Sequence, residues 1–354
     1  MASLREEDLH GELWPYVLTL LPPDLETHAR EAKALRRARG VKSAADLLRL
    51  FLAYGVTPLS LAGVAAWATA AEVASISAPA LFYRLRDGVE WLSRLLASVL
   101  ADTLKASPDP SGYRVRIVDA TSISRPGSEG TDWRVHVLAD PSSGKLAAVD
   151  ITDVHGGEGF ARHPLGPGDL VLGDRGYAHA RGIAAAKRAG ADVVVRINLA
   201  TLRLCDSDHQ RLAWQELEAR VPLVGAIDLS CKMPEPPATW NSHKTWPLLR
   251  AASWTAVRLI GVRPRAGHVV WILTTATKER LSAAAVTELY RLRWQIELLF
   301  KRLKSLLAFD QLPARTEPLA RAWLLSRLLA AALVERLTYV EPALSPWGYC
   351  IRTP

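Results

Sequence analysis

Apolar positions in the first sixty residues recur at helical spacing. The segments 24–39 and 43–54 carry an apolar residue every three to four positions, and each is followed by a glycine, Gly40 and Gly55. Such spacing lines one face of a helix with apolar side chains, and glycine favours the point where a helix ends. Two helices that end at these glycines are therefore predicted.

Two shorter helices are predicted between residues 60 and 87. Ser60 precedes an alanine-rich run, and Ser77 precedes a second run with Pro79 in its first turn and Gly88 after its end. Serine caps exposed N–H groups, and proline is tolerated in the first turn. The tight join fits a DNA-binding helix-turn-helix, although an ordinary helical hairpin gives the same pattern. The side chains that the second helix would present to DNA are Tyr83, Arg84 and Arg86.

From about residue 111 the pattern changes to short apolar strands. Strands are predicted at 113–119, 133–138, 145–150, 169–174 and 192–197, with an alanine-rich helix at 178–189. Three strands in a row followed by strand–helix–strand indicate a mixed α/β sheet, which is compatible with a ribonuclease-H-like core. Turn-rich sequence with strand candidates at 251–262 and 268–275 follows, and the chain is helical again from 282 to about 339.

The predicted elements group into five regions. These are a helical N-terminal domain at 1–108 with the helix-turn-helix candidate at 60–87, the first part of the α/β core at 109–198, a β-rich insertion at 199–275, the second part of the core at 276–310, and a short helical C-terminal tail at 311–354.

Composition narrows the class of protein. The chain has 354 residues, a net charge of +8 and 49% hydrophobic residues, so it can bury more than one core and favours a polyanionic partner. Its three cysteines lack zinc-ligand spacing and fit a reducing compartment. No targeting signal and no membrane-spanning segment are predicted, so we expect a cytoplasmic protein.

The segment Ser282–Leu307 is predicted as one helix with a polar stripe. At 100° per residue its polar side chains share an arc of about 80°, and leucines occupy the opposite side. A solvated face with an ion pair between residues four apart would look the same. The residues of the stripe are Tyr290, Arg293, Glu297, Lys301 and Lys304.

Two aspartates at the ends of apolar strands give this stripe a chemical meaning. Asp119 and Asp174 each close a predicted buried strand, where a carboxylate is costly unless it is paired or binds a metal. Three carboxylates from two strand ends and the helix, with Glu297 as the third, could converge. Oxygen ligands suit Mg²⁺ or Mn²⁺, and two such ions can support in-line phosphoryl displacement.

The spacing Tyr290-x2-Arg293-x3-Glu297-x6-Lys304 resembles the Y-R-E-K signature of bacterial insertion-sequence transposases with a DDE active site. The segments 118–121 (Val-Asp-Ala-Thr) and 172–177 (Leu-Gly-Asp-Arg-Gly-Tyr) are similar to those that carry their two aspartates. The resemblance spans about residues 60 to 310. It implies a ribonuclease-H-like core interrupted by a β-rich insertion.

The resemblance also implies roles for individual residues. Asp119, Asp174 and Glu297 would be the catalytic metal ligands for two Mg²⁺ ions, with Mn²⁺ as a substitute. Tyr290, Arg293, Lys301, Lys304 and Arg175 would contact DNA. Trp271 matches a tryptophan that stacks on a flipped base in some relatives, which would favour a hairpin intermediate; a core aromatic is the other interpretation.

The expected activity is cut-and-paste transposition. A homodimer in a synaptic complex would bring two transposon-end inverted repeats together and join them to target double-stranded DNA, at the bacterial nucleoid. A stand-alone metal-dependent nuclease and a catalytically silent DNA-binding regulator are the alternatives, and strand transfer separates the first from a transposase. The segment 155–158 (His-Gly-Gly-Glu) is interpreted as a glycine turn, not as part of the site.

Overall fold

The computed structural model describes residues 14–37, 39–104, 112–125, 127–141, 145–197, 202–237, 251, 253–263, 268–293, 301, 312–314 and 316–340. Within them the helices are α1 (Trp14–Thr19), α2 (Leu25–Glu31), α3 (Ala44–Val56), α4 (Leu61–Ala70), α5 (Ala78–Asp87), α6 (Val89–Leu104), α7 (Ala180–Arg188), α8 (Trp214–Arg220), α9 (Ala283–Arg291) and α10 (Glu317–Val340). The strands are β1 (Arg114–Ile123), β2 (Trp133–Asp140), β3 (Lys145–Asp153), β4 (Asp169–Gly173), β5 (Asp192–Arg196), β6 (Ala226–Glu235), β7 (Ser253–Val262) and β8 (Val270–Thr274).

The chain divides into two compact units. The first, a helical unit, comprises residues 1–104, 122–134 and 300–354, and the second, a sheet unit, comprises 105–121 and 135–299. The C-terminal helix α10 contacts α3, α5 and α6. The sequence suggested a separate tail, whereas the structure buries Trp323 and Leu328 of α10 in the helical unit. The long-range packing that places α10 there leaves no local sequence signal.

Serine caps begin several helices of the helical unit, and the cap predicted at Ser77 is among them. The hydroxyls of Ser43, Ser60 and Ser77 accept N–H groups at the start of α3, α4 and α5. The prediction for Gly55 was wrong, because this glycine lies inside α3. A Cβ there would lie 2.3 Å from the Cβ of Ser326 in α10, so glycine allows the two helices to approach closely.

The predicted helix at 24–39 was also too long. Helix α2 ends at Glu31, and Lys33 adopts a positive φ of 60°. The N–H of Ala34 then returns to the carbonyl of Ala29, an arrangement that closes a helix end. This turn lets Ala34 and Leu35 enter the core, where both are buried.

The sheet has eight strands in the order β3-β2-β1-β4-β5-β8-β7-β6. Strands β1, β4 and β5 are parallel to one another, and α7 connects β4 to β5. The pairings β5–β8, β8–β7 and β7–β6 are antiparallel. The predicted strands of the first part of the sheet are present with small changes at their ends. The parallel strands place their carboxyl ends at one edge, which is where ligands bind in open α/β sheets.

Strand β6 and helix α8 were not predicted. Residues 226–235 pair with β7 over its whole length, and Pro234 lies within the strand although it stands in a proline-rich stretch. Strand β6 is the last strand of the described sheet, and a proline is tolerated at such an edge because its missing N–H removes no ladder bond. The region 199–275 therefore extends the central sheet.

Candidate active site

Asp119 and Asp174 lie side by side at the carboxyl end of the parallel strands. The register of β1 and β4 runs from Arg114 opposite Asp169 to Ile117 opposite Leu172. Continued by two residues, it places Asp119 opposite Asp174, and neighbouring strands are about 4.8 Å apart. Asp119 lies within β1, not at its end as predicted, and Asp174 follows β4 directly. The two carboxylates therefore belong to one site.

Burial and mutual repulsion disfavour the charged form of Asp119. Burial, the largest cause, and the charges of Asp174 and Glu158 raise the pKa of Asp119, the N–H of Ala120 and the guanidinium of Arg293 lower it, and together they give a pKa of about 6. The Ala120 N–H donates to Oδ1 of Asp119 at 2.8 Å. Asp174 accepts the N–H of Gly176 at 2.8 Å, so its carboxylate caps the 3-10 turn Arg175–Tyr177. Two partly buried acids are thus held together without full charge compensation.

The predicted helix that carries Tyr290 and Arg293 ends earlier than expected. Ser282 caps α9, and the helix ends at Arg291, so the prediction of one unbroken helix over 282–307 was wrong at residues 292–293. The N–H groups of Leu292 and Arg293 bond to carbonyls three residues back, which tightens the chain relative to an α-helix.

The side chains of this segment interact with one another and with the acids. Tyr290 and Arg293 share a side-chain hydrogen bond, and the charge of Arg293 acts on Asp119. The charges of Asp174 and Arg196 also act on Tyr290, whose pKa burial raises. Two of the four signature residues, Tyr290 and Arg293, therefore interact with Asp174 and Asp119 respectively. Arg196, at the carboxyl end of β5, adds a cation that sequence reasoning missed.

Glu158 is a further acid near this edge, in a segment interpreted from the sequence as a turn. Its charge raises the pKa of both Asp119 and Tyr177. Its Oε2 atom occupies the space where a side chain on Gly176 would lie. Nothing in the local pattern predicts this position, because it depends on how the loop after β3 crosses the loop after β4.

The donor set fits a divalent cation. Asp119 and Asp174 offer oxygen ligands only, which suits Mg²⁺ or Mn²⁺, and a cation between them would offset their repulsion. Within the part of the chain that the structure describes, no group of three or more His, Cys, Asp or Glu side chains is close enough to hold one ion. The predicted third ligand, Glu297, lies outside the described residues.

The other predicted DNA contacts differ in their surroundings. Lys304 lies outside the described residues, and Lys301 and Arg175 are exposed. Trp271 is only 4% exposed, packs over Gly261 of β7 and lies edge-on to Trp214. No ring face of Trp271 is open to a base in this structure, so its surroundings fit the interpretation as a core aromatic.

Helix α5 carries the three residues predicted for DNA binding by the helical unit. Tyr83 is 54% exposed and Arg86 lies over its ring at 4.9 Å. Arg84 donates to the carbonyls of Arg37 and Arg39 at 2.6 and 3.3 Å, so this guanidinium also ties α5 to the connection between α2 and α3. Helices α4 and α5 contact each other, as a helix-turn-helix or a hairpin would.

The sequence is similar to those of known transposases. A family model described as the transposase DDE domain matches residues 110–333. The chain is 34% identical over 353 residues to the putative transposase InsL of insertion sequence element IS186A from Escherichia coli strain K12, covering 94% of this chain and 95% of that protein. The transposase of insertion sequence element IS421 from Escherichia coli is likewise 34% identical, with the same coverage of 94% and 95%.

One solved structure has a similar fold. The piggyBac transposase in a synaptic complex with hairpin DNA matches with a TM-score of 0.50 and 8% identity, covering 97% of this chain and 78% of that chain. At this identity the likeness concerns the mixed α/β fold alone. No helix among the described residues has the length and apolar character needed to cross a bilayer.

Proposed function

Because this chain belongs to the DDE-domain transposases of bacterial insertion sequences, we propose that Asp119, Asp174 and Glu297 form its metal-binding catalytic site. Transposases of this family act on DNA and depend on divalent metal ions. The observation that carries the proposal is the β1–β4 register, which sets Asp119 against Asp174 where Tyr290 and Arg293 arrive. Glu297, four residues after Arg293, would supply the third carboxylate.

The strand pattern supports a ribonuclease-H-like core. Strands β1 to β3 are neighbours, and β4–α7–β5 follows them in the same sheet. Strands β6 to β8 would then be the insertion that separates the two aspartates from the glutamate. We assign residues 109–198 and 276–310 to the core and 199–275 to the insertion.

The proposed cofactor is Mg²⁺, two ions per site, with Mn²⁺ as a substitute. When bound, such ions activate an attacking hydroxyl and stabilise the leaving oxygen of a phosphodiester. The chain's own task is to present ionised carboxylates, and the raised pKa of Asp119 means that this acid loses its proton only near pH 6 when no cation is bound. The repulsion between Asp119 and Asp174 makes the pair a strong attractor for cations.

Arginine and tyrosine side chains would position the DNA. Arg293 lies near Asp119 and Arg196 lies near Tyr290, and both guanidinium groups could neutralise phosphate oxygens of bound DNA. The hydrogen bond between Tyr290 and Arg293 orients this guanidinium. Lys301, Lys304 and Arg175 would contact further phosphates of the DNA, as the family resemblance implies.

The remaining steps of the proposal concern assembly and the route of cleavage. Exposed Tyr83 and Arg86 on α5 support binding of transposon-end repeats by the helical unit. We propose a homodimer that holds two ends and cut-and-paste movement through a DNA hairpin, the kind of DNA present in the piggyBac complex of similar fold. The burial of Trp271 means that another group would have to receive any flipped base.

The test is incubation of the protein with Mg²⁺ and DNA that carries the ends of its element. Nicked, hairpin and joined products are separated on a denaturing gel. We expect all three from the wild type and none from Asp174→Asn, while binding of the ends is retained. Hydrolysis without joined products would support the nuclease alternative, and undiminished cleavage by the variant would exclude the proposed site.

A further inference from the structure

The segment Gly157–Glu158 is held rigidly beside the proposed catalytic site. Nε of Arg162 donates to the carbonyl of Gly157 at 2.6 Å, and Nε2 of His179 lies 2.9 Å from the carbonyl of Glu158. Nδ1 of His179 accepts the N–H of Gly182 at 3.1 Å, so Nε2 carries the proton and donates to Glu158. Two hydrogen bonds to consecutive carbonyls therefore fix the backbone from which the Glu158 side chain extends.

The side chain of Glu158 reaches over the turn that follows Asp174. Its Oε2 atom lies where a Cβ on Gly176 would be, only 1.7 Å from that ideal position. Any side chain at residue 176 would displace the carboxylate. Gly176 is also the residue whose N–H holds Asp174, so one glycine accommodates two acids.

A buried hydroxyl without a partner lies among the same acids. The ring of Tyr177 is fully buried against Phe160, and its hydroxyl has no hydrogen-bond partner within the described part of the chain. Burial raises the pKa of Tyr177, and the charges of Glu158, Asp119 and Asp174, in that order, raise it further. An orphan hydroxyl is costly. A hydroxyl in this position is therefore suited to a ligand or water that arrives with the cation.

Resting on the proposed function, we propose that Glu158 and the Tyr177 hydroxyl are positioning groups for the hydrated cation that Asp119 and Asp174 bind. We place Glu158 at the water shell of the ion rather than among its direct ligands, because no three described His, Cys, Asp or Glu side chains lie close enough together to hold one ion. Magnesium and manganese ions retain several waters in protein sites, and outer-shell partners commonly change metal affinity about 10- to 100-fold.

Binding of Mn²⁺ to the full-length protein without DNA tests this directly. Free Mn²⁺ is followed by electron paramagnetic resonance during titration of the wild type, Glu158→Gln, Tyr177→Phe and Gly176→Ala. We expect Glu158→Gln to weaken binding about tenfold. Tyr177→Phe, which keeps the ring packing, should weaken it about threefold. Gly176→Ala keeps the charge of Glu158 but displaces its carboxylate, and should resemble Glu158→Gln.

Two controls separate the possible failures. Glu216→Gln makes the same charge change on the exposed surface of α8 and should bind Mn²⁺ as the wild type does. Asp174→Asn should lose binding altogether, and wild-type affinity in that variant would overturn the proposed function itself.

If Asp174→Asn loses binding while Glu158→Gln retains wild-type affinity, only the role of Glu158 is overturned. Wild-type affinity in Gly176→Ala would also overturn it, since the position of the carboxylate would then not matter. Thermal unfolding of each variant in EDTA verifies that the titrations compare folded proteins.

Discussion

The carboxylates at the two ends of the parallel strands have opposite pKa shifts. At the amino end, Asp192 begins β5 and receives the hydroxyls of Tyr113 and Thr275 at 2.7 and 2.9 Å and the amine of Lys187 at 2.7 Å. These hydrogen bonds outweigh burial and lower the pKa of Asp192. At the carboxyl end, burial and neighbouring acids raise the pKa of Asp119 instead.

The rest of the amino end follows the same rule of compensation. Arg114 donates to Asp169 at 2.9 Å, and the fully buried Arg116 lies within 4.0 Å of both Asp140 and Asp169. Burial lowers the pKa of Arg116, and the two aspartates oppose that effect. The aspartates at the amino end are therefore balanced by arginines. The acids at the carboxyl end are not balanced to the same degree, which would favour binding of a cation.

The difference separates the aspartates that hold the fold from those that we propose as metal ligands. Asp169 and Asp192 precede apolar runs in the sequence and Asp119 and Asp174 follow them, but this position alone does not show what surrounds each carboxylate. Their partners distinguish them: hydroxyls and cations surround Asp192, and other acids surround Asp119. Residues that break the usual rules of charge pairing are expected at functional sites.

The largest expected effect is a loss of stability at the amino end. Asp192→Asn removes the charge from a side chain that is 5% exposed, and it leaves buried donors with one weaker acceptor. We expect the free energy of unfolding in urea to fall by about 3 kcal/mol. Lys187 and Arg280, the cationic partners of Asp192, are about half exposed, so their ion pairs contribute little to this loss.

The matched variant at the other end should show the reverse profile. Asp174→Asn is expected to abolish cleavage with no loss of stability in EDTA, while folded Asp192→Asn should cleave DNA at the wild-type rate. Equal destabilisation by both variants would remove the distinction between the two ends.

A second prediction concerns acid sensitivity beneath the carboxyl end. The pKa of His163 is lowered from 6.5 to about 4, chiefly by burial; the charges of His136 and Arg162 act in the same direction, and that of Asp150 opposes them. Between pH 4 and pH 6.5, His163 is therefore protonated in the unfolded chain but not in the folded chain. Stability is therefore retained above pH 6.5 and lost as the pH falls toward 4, by about 2 kcal/mol.

The measurement is urea unfolding at a series of pH values for the wild type and His163→Leu. The substitution removes the titrating group and keeps an apolar side chain against Tyr177. The stability of the variant should change less between pH 6.5 and 4 than that of the wild type. Parallel curves for the two proteins would place the acid sensitivity elsewhere.

Much of this arrangement is encoded locally and could be predicted. The strands β1 to β5, the serine caps and the two aspartates follow from alternation, turn residues and the place of an acid after an apolar run. Arg196 was missed although the same reasoning applies to it, since it follows three valines at the end of β5. Strand β6 was missed because its pairing partner lies beyond a long connection.

Other features arise only from tertiary packing. Glu158 enters the site because one loop crosses another, and Gly55 lies within a helix because Ser326 packs against it from more than 270 residues away. Trp271 illustrates the same limit, since its strand was predicted but its burial over Gly261 was not. A local pattern specifies an element and its faces, whereas the partner of each face depends on the whole chain.

The smallest expected effect compares two tyrosine hydroxyls on the same sheet unit. Tyr113→Phe removes the hydrogen bond to Asp192 but leaves the ring under Arg280, at 4.0 Å, and should lower the free energy of unfolding by about 1 kcal/mol. Tyr177→Phe removes a hydroxyl that has no partner among the described residues, so it should leave stability in EDTA unchanged or slightly raised.

In Mn²⁺ the Tyr177 variant should be the one that differs from the wild type, because a bound cation stabilises the folded protein more when it binds more tightly. The Tyr113 variant should gain as much stability from Mn²⁺ as the wild type, and the Tyr177 variant should gain less. A Tyr177 variant that is destabilised in EDTA as strongly as the Tyr113 variant would mean that both ends of the sheet use their tyrosines to hold the fold.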